Sequence, residues 1–289
     1  MFYSPLRYPG GKGKLADFIA IMIEATGHVG GTYIEPFAGG AGVAIELLEK
    51  DIVSNIVIND LDKGVYSFWR AVLTETDRFI DAIRKTPIDM DEWRRQRDVC
   101  LRNNRRYSFE LGFATFYMNR TNRSGIIKGG VIGGQDQTGK WKIDARFNKE
   151  ELIGRISKIA DKRKSIHLYN KDIESFILKY VPKYEENAFI YFDPPYFDKG
   201  KQLYLNFFNY EDHVRIEEII RTHVTCDWII TYDDAPEIAA IYAGRCMRRF
   251  ALTYSVAKKR KAHELMIFKS EEEIPPDELL LQQKIRLAL

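Results

Sequence analysis

Four consecutive residues, Asp193-Pro194-Pro195-Tyr196, concentrate more potential chemistry than any other stretch of this 289-residue chain. They follow an apolar, β-rich run, Ala188-Phe189-Ile190-Tyr191-Phe192. The Asp193 carboxylate can accept a hydrogen bond from an N–H. Pro194 has no N–H of its own, so its carbonyl can address the same amine without a competing backbone donor. Tyr196 offers a flat face on which a heteroaromatic ring can stack. Two acceptors and a platform suit an exocyclic amine on a planar ring, such as N6 of adenine. Asp and Pro are also common turn formers, and on the tetrapeptide alone a turn closing a strand is an equal account.

Other segments can bind rather than react. A first predicted strand, 32–37, runs into Glu35-Pro36-Phe37-Ala38-Gly39-Gly40-Ala41-Gly42 and opens directly into a helix. Glycines at such a turn let a ligand approach the backbone near a helix N-terminus. The string is not G-x-G-x-x-G, so a dinucleotide fingerprint is not met. The next strand ends at Asp60, a carboxylate placed to take both hydroxyls of a ribose; a structural turn and a helix-capping Asp are the alternative. Near the N-terminus, Arg7-Tyr8-Pro9-Gly10-Gly11-Lys12-Gly13-Lys14 lacks phosphate-loop spacing, yet it can present Tyr8 and Lys12 to a small molecule. Asp172, after Tyr169-Asn170-Lys171, can accept from an adenine amino group or can cap a helix.

These groups need a scaffold, and composition bounds it. Hydrophobic residues make up 45% of the chain and aromatics 13%, enough for a packed core and against global disorder. No run of about 18 apolar residues and no basic leader argues for membrane insertion or secretion. The cysteines Cys100, Cys226 and Cys246 are scattered without metal-ligand spacing, and the five histidines form no ligand motif. The expectation is a reduced compartment and no metal. Strands are predicted at 32–37, 55–60, 165–169, 188–192, 228–232, 250–254 and 264–268, with helices between them, which indicates an α/β sheet. The last two strands flank the basic stretch Lys258-Lys259-Arg260-Lys261 and suggest an antiparallel hairpin.

The formal charge of +3 conceals a division. Residues 84–164 hold 20 Lys/Arg against 10 Asp/Glu, a net +10 that leaves −7 for the rest. The same region breaks the strand–helix alternation and reads as helices around a glycine-rich loop. A basic module in an acidic body is the footprint expected where a polyanion binds; a solvated helical surface can also be basic. Inside it, Phe116 and Tyr117 precede Asn119, Arg120, Thr121 and Arg123, followed by Lys128 and Gly129-Gly130-Val131-Ile132-Gly133-Gly134. Aromatics, an amide and cations in this order supply stacking, base readout and phosphate contacts; a plain mobile surface loop is the other reading.

Together these motifs resemble the Dam-like, D12 class of DNA adenine-N6 methyltransferases. The matches run in family order: Tyr8-Pro9-Gly10-Gly11-Lys12, Glu35 to Gly40, Asn59-Asp60, Phe116 to Gly125, Tyr169 to Asp172, Asp193 to Tyr196, and the strand–basic turn–strand segment ending in Glu264-Leu265. They cover roughly residues 4–270. The resemblance implies a Rossmann-like α/β methyltransferase sheet with a C-terminal antiparallel hairpin and an inserted, mainly helical target-recognition domain. Its segments are 1–70 and 163–270 for the catalytic domain, 71–162 for the insert, and 271–289 for an amphipathic tail that packs on the body or on a partner.

The resemblance further implies S-adenosylmethionine as cofactor, bound by Tyr8, Lys12, Glu35, Pro36, Phe37, Gly39, Gly40, Gly42, Asp60, Asp172 and Asp193. Catalysis falls to Asp193, Pro194, Pro195 and Tyr196 acting on an adenine flipped out of double-stranded DNA. DNA contacts fall to Asn119, Arg120, Thr121, Arg123 and Lys128, with Lys258, Lys259 and Arg260 as a backbone clamp. A cognate restriction or defence protein is an implied partner, and the cytoplasm, at the nucleoid when DNA-bound, the implied location. The insert lacks the arginine-bearing continuation associated with GATC readers, so the target sequence does not transfer. Rival readings are an RNA adenine methyltransferase, a catalytically silent nucleic-acid-binding module, and methylation of a protein glutamine amide. The last typically carries Asn at the first position of the tetrapeptide and gives the basic insert no purpose.

Overall fold

A computed structural model of the protein describes residues 3–7, 15–102, 106–197, 208–254, 260–276 and 287–288. Eight strands form one mixed sheet in the order β3-β2-β1-β4-β5-β7-β6-β8. Strands β1 (Thr32–Glu35), β2 (Asn55–Asn59), β3 (Ile166–Tyr169), β4 (Ala188–Phe192) and β5 (Asp227–Asp233) run parallel. Strand β7 (Arg260–Phe268) pairs antiparallel with β5 and with β6 (Cys246–Tyr254), the hairpin anticipated from the sequence. The two-residue β8 (Leu287–Ala288) pairs with Phe250 and Arg249 of β6, so the end of the tail completes the sheet edge. All five residues of β4 are buried, as a parallel strand covered on both faces requires.

Helices cover both faces. On one side lie α1 (Ala16–Ala25), α2 (Gly42–Glu49), α3 (Lys63–Thr74), α4 (Thr76–Lys85), α5 (Met90–Arg102), α6 (Phe109–Thr121) and α7 (Lys149–Asp161). On the other lie α8 (Ile173–Lys179), α9 (Tyr210–His223) and α10 (Pro236–Ile241). Caps set the starts of several: Asp62 accepts from Gly64 and Val65 at α3, Ser108 from Leu111 at α6, and Asn209 forms a capping box with Asp212 at α9.

The division at residue 70 falls inside α3, a helix the charge pattern did not separate. Nor do the insert's helices build a core of their own: Phe68 of α3 stacks on Phe116 of α6 with ring centroids 5.9 Å apart, within the cluster that also holds Tyr33, Phe189 and Tyr191 of the sheet. Helix α6 is enclosed along nearly its whole surface. Among the described residues no helix is long and apolar enough to cross a membrane.

Candidate active site

The strand order reverses between β1 and β4, and in an open α/β sheet ligands bind at such a switch point, outside the carboxyl ends of the strands. Both motifs of interest sit there. Strand β1 delivers the glycine turn, and β4, its parallel neighbour, delivers Asp193.

The turn is pinned from several sides. Ala38 N–H donates to Asn59 O at 2.9 Å, and Ala41 N–H to Ala38 O. Gly39 adopts φ +47° and Ala41 φ +45°, the left-handed region that glycine enters without a Cβ penalty. Its peptide is gripped at both ends: the N–H donates to Asp60 Oδ2 at 2.8 Å and the carbonyl accepts from Trp69 Nε1 at 2.9 Å. Ser4 Oγ donates to Gly40 O. Asn59, 2% exposed, donates to Pro36 O and Lys171 O and accepts from Lys171 N–H, so one amide joins the ends of β1 and β3 to β2.

These residues fit a nucleoside-bearing cofactor. A Cβ built on Gly42 would meet nothing within 4 Å, so open space lies before the first turn of α2. Asp60 accepts one backbone N–H on each oxygen, from Gly39 and Asp62, and each oxygen keeps a further acceptor position. Burial, then the neighbouring Asp62 charge, raises its pKa to about 7 against the pull of those two hydrogen bonds. Phe37 is half-buried against Phe208, edge to face at 6.0 Å, and Glu35 and Pro36 are buried beneath. Asp172 is exposed and caps α8 by accepting from Ser175 N–H at 2.8 Å. Tyr8 and Lys12 lie outside the described residues.

The tetrapeptide is tethered by β5, the parallel neighbour of β4, and by β7, which pairs antiparallel with β5. Thr231 Oγ1 lies 2.8 Å from Tyr191 Oη and donates to Asp193 Oδ1 at 3.5 Å. Tyr196 donates its hydroxyl to Glu264 Oε1 at 3.0 Å, and Phe197 N–H donates to Asp233 Oδ1 at 2.9 Å. Asp233 and Glu264 face each other across the β5–β7 pairing. Burial first, and then the charges of Glu35 and Asp193, hold the Tyr33 phenol well above its ordinary range; burial and Asp193 do the same to Tyr191. Both are therefore neutral hydroxyls beneath the site. Asp193 and Pro195 are half-buried and Pro194 is buried. Tyr196 is 6% exposed, so its ring is packed into the protein and does not present the open platform expected from sequence.

The insert corrects the expected DNA contacts. Asn119 is 1% exposed: its Oδ1 accepts from Arg7 N–H at 2.7 Å, and its Nδ2 donates to Arg7 O and Gly125 O. Thr121, fully buried, donates to Tyr117 O. Enclosure of α6 turns these polar residues onto backbone instead of solvent. Arg120 is 7% exposed, its Nε has no hydrogen-bond partner among the described residues, and burial with Arg7 and Arg155 nearby lowers its pKa to about 9. Arg123 and Lys128 are exposed, as a DNA contact requires. Lys258 and Lys259 lie outside the described residues, and Arg260 begins β7. We expect Asn119→Ala to cost about 2–3 kcal/mol, since it leaves buried backbone groups unpaired, read as a lower urea midpoint. A variant of full stability but weakened DNA binding would restore a direct contact.

Sequence reading did not assign Asn59, Thr231, Asp233 or Glu264 their positioning parts. The available signal was the run of polar residues at strand ends, Asn59-Asp60 and Thr231 to Asp234. Among the described residues no group of three His, Cys, Asp or Glu side chains is arranged to hold a metal.

A parallel core in the order 3-2-1-4-5 with a 7-6 antiparallel hairpin, a glycine turn after β1 and an acid ending β2 define a Rossmann-like methyltransferase that uses S-adenosylmethionine. Residues 8–261 match the D12 class N6 adenine-specific DNA methyltransferase model, and the chain belongs to that family. It is similar to the type II methyltransferase M.MjaIII of Methanocaldococcus jannaschii, with 26% identity over 234 residues, covering 75% of this chain and 78% of that one. It is also similar to the type II methyltransferase M1.LlaDCHI of Lactococcus lactis subsp. cremoris, with 25% identity over 229 residues and 74% and 75% coverage. Among solved structures, the rRNA methyltransferase aviRa of Streptomyces viridochromogenes aligns over 92% of this chain and 88% of its own at 11% identity and a TM-score of 0.41. The enzyme is an adenine-specific DNA methyltransferase.

Proposed function

We propose that the enzyme methylates an adenine flipped out of duplex DNA at a specific sequence, with Asp193 and the Pro194 carbonyl holding the amino group and Tyr196 lining the base pocket. The support is the position of Asp193 at the end of β4, next to the β1 glycine turn across the switch point. The S-adenosylmethionine cofactor, for which Glu35, Pro36, Phe37, Gly39, Gly40, Gly42, Asp60 and Asp172 are the described candidates, supplies an electrophilic methyl group on a sulfonium. Adenine N6 is a poor nucleophile because its lone pair is delocalised into the ring. Acceptors on both of its N–H bonds favour a tetrahedral nitrogen with the lone pair directed along the line of attack. As the C–N bond forms and the methyl–sulfur bond breaks, its electron pair leaving with a neutral thioether, the nitrogen becomes cationic and sheds one proton to Asp193, which returns it to solvent. Arg123 and Lys128 are the exposed cations assigned to DNA phosphates. We place the enzyme in the cytoplasm, on DNA.

Expression in a host without adenine methylation, followed by single-molecule mapping of modified bases, tests this reading. Methylated adenines confined to one sequence are expected. Unmodified DNA despite a folded, cofactor-binding protein would reject it.

Asp60 adds a pH dependence. Its folded pKa lies above the ordinary carboxylate value, so the folded protein holds a proton there between about pH 4 and 7. The associated stability is present below that window and is lost as pH rises through about 7. Ribose hydroxyls donate, so the ionised form binds. Cofactor Kd should therefore weaken as pH falls below 7, approaching about tenfold per unit, and Asp60→Asn should flatten the profile. A Kd constant from pH 6 to 8 would remove Asp60 from the cofactor site.

A further inference from the structure

The loop between α6 and α7 presents a tryptophan to solvent. Trp141 is 65% exposed, whereas Trp69, Trp93 and Trp228, the other three tryptophans, are each at most 2% exposed. An aromatic of this size at a surface forgoes burial that folding would otherwise use. The loop around it is built. Gln137 donates through Nε2 to Ile132 O and Gly134 O, each at 2.8 Å, and accepts at Oε1 from Ile143 N–H at 2.8 Å. Gly139 N–H donates to Gly133 O at 2.9 Å. Gly133 takes φ +90°, and a Cβ there would fall 2.8 Å from Trp141 O, so only glycine lets the two limbs close. Val131, Ile143 and Phe147 root the limbs in the core, Phe147 lying 5.3 Å from the Phe116 ring. Trp141 thus projects two residues from a buried anchor on a hydrogen-bonded frame.

Its surroundings are cationic. Lys140 and Lys142 flank it, both exposed, with Lys140 Nζ 5.7 Å from the ring centroid. Residues 122–148 carry five Lys/Arg against two Asp/Glu. A rigid, exposed ring between lysines fits a polyanion with apolar faces between its charges, and a nucleic acid is that polyanion. We propose that Trp141 is a wedge that stacks against a base step of the bound duplex while Lys140 and Lys142 meet the flanking phosphates. This rests on the duplex-DNA reading above.

The test uses the full chain and a duplex carrying the mapped target. With its siblings buried, Trp141 dominates the emission that acrylamide can quench, and DNA should shield it; Trp141→Phe should lose that shielding signal. Stacking is worth ~1–3 kcal/mol per base by alanine substitution, so Trp141→Ala should weaken duplex Kd about 5- to 150-fold with an unchanged salt slope. Trp141→Phe should fall between, and Lys140→Ala with Lys142→Ala should reduce the slope. Equal binding by wild type and Trp141→Ala, or emission that stays quenchable in the complex, overturns the wedge alone. A folded wild type that binds no duplex overturns the DNA reading with it.

Discussion

Asp193→Ala is expected to lower single-turnover methyl transfer by about 10³-fold, the scale of losing one preorganised polar group at the reacting centre, while cofactor affinity moves by less than about threefold. In the proposed reaction the carboxylate holds one N–H of the target amine and takes the proton released when the C–N bond forms. Pro194 keeps its carbonyl in the variant, so half of the amine's acceptor pair survives. The fold should survive too, because Asp193 is half-buried on a strand end whose buried neighbours, Tyr191 and Thr231, keep their mutual bond of 2.8 Å. Asp193→Asn separates the two parts of the role: its carbonyl still accepts the N–H, but it cannot take the proton. Turnover of Asp193→Ala within tenfold of wild type, with equal cofactor binding, would remove Asp193 from the reaction.

Strand positions were legible because the central strands are apolar on both faces and end in polar or glycine residues; β4 is the clearest, observed at 188–192 as expected. The hairpin was legible from two β-rich runs around a basic turn. Helix α3 was less so, since its start depends on Asp62 accepting from two N–H groups and its end at Thr74 lies past the division placed at residue 70. The site divided along the same line. Glu35, Asp60 and Asp193 announce themselves as acids at strand ends. Asn119 and Thr121 look like surface readers in one dimension and are interior struts in three, because nothing local shows that α6 is enclosed on all sides. Glu264 is 68 residues from Tyr196, and only the antiparallel register of β7 brings them together.

That register yields the second large effect. Two tethers hold the segment after Asp193, Tyr196 to Glu264 and Phe197 N–H to Asp233, the first partner on antiparallel β7 and the second opposite it on β5. The hairpin strand β7 thus supplies the hydrogen-bond partner of the Tyr196 hydroxyl. On the proposed reading, Glu264 acts on the reaction through that ring, as a positioning residue. Tyr196→Ala, which removes the ring that the proposed reading sets against the target base, should cost about 1–3 kcal/mol in base stacking, and more once the base is misaligned, for a loss approaching 10²-fold in kcat/KM. Tyr196→Phe keeps the ring and loses a hydrogen bond to a carboxylate, worth about 1.5–3 kcal/mol if the acceptor is ionised, so a loss of about tenfold or more is expected. Glu264→Gln keeps an acceptor at the same place and should retain most activity; Glu264→Leu should lower kcat at least as far as Tyr196→Phe does, with cofactor Kd unchanged. Combined with Tyr196→Phe, Glu264→Leu should fall short of the product of the two separate losses, by the worth of the hydrogen bond that both remove. Full additivity of the two losses would show that Glu264 acts by a route other than the Tyr196 hydroxyl.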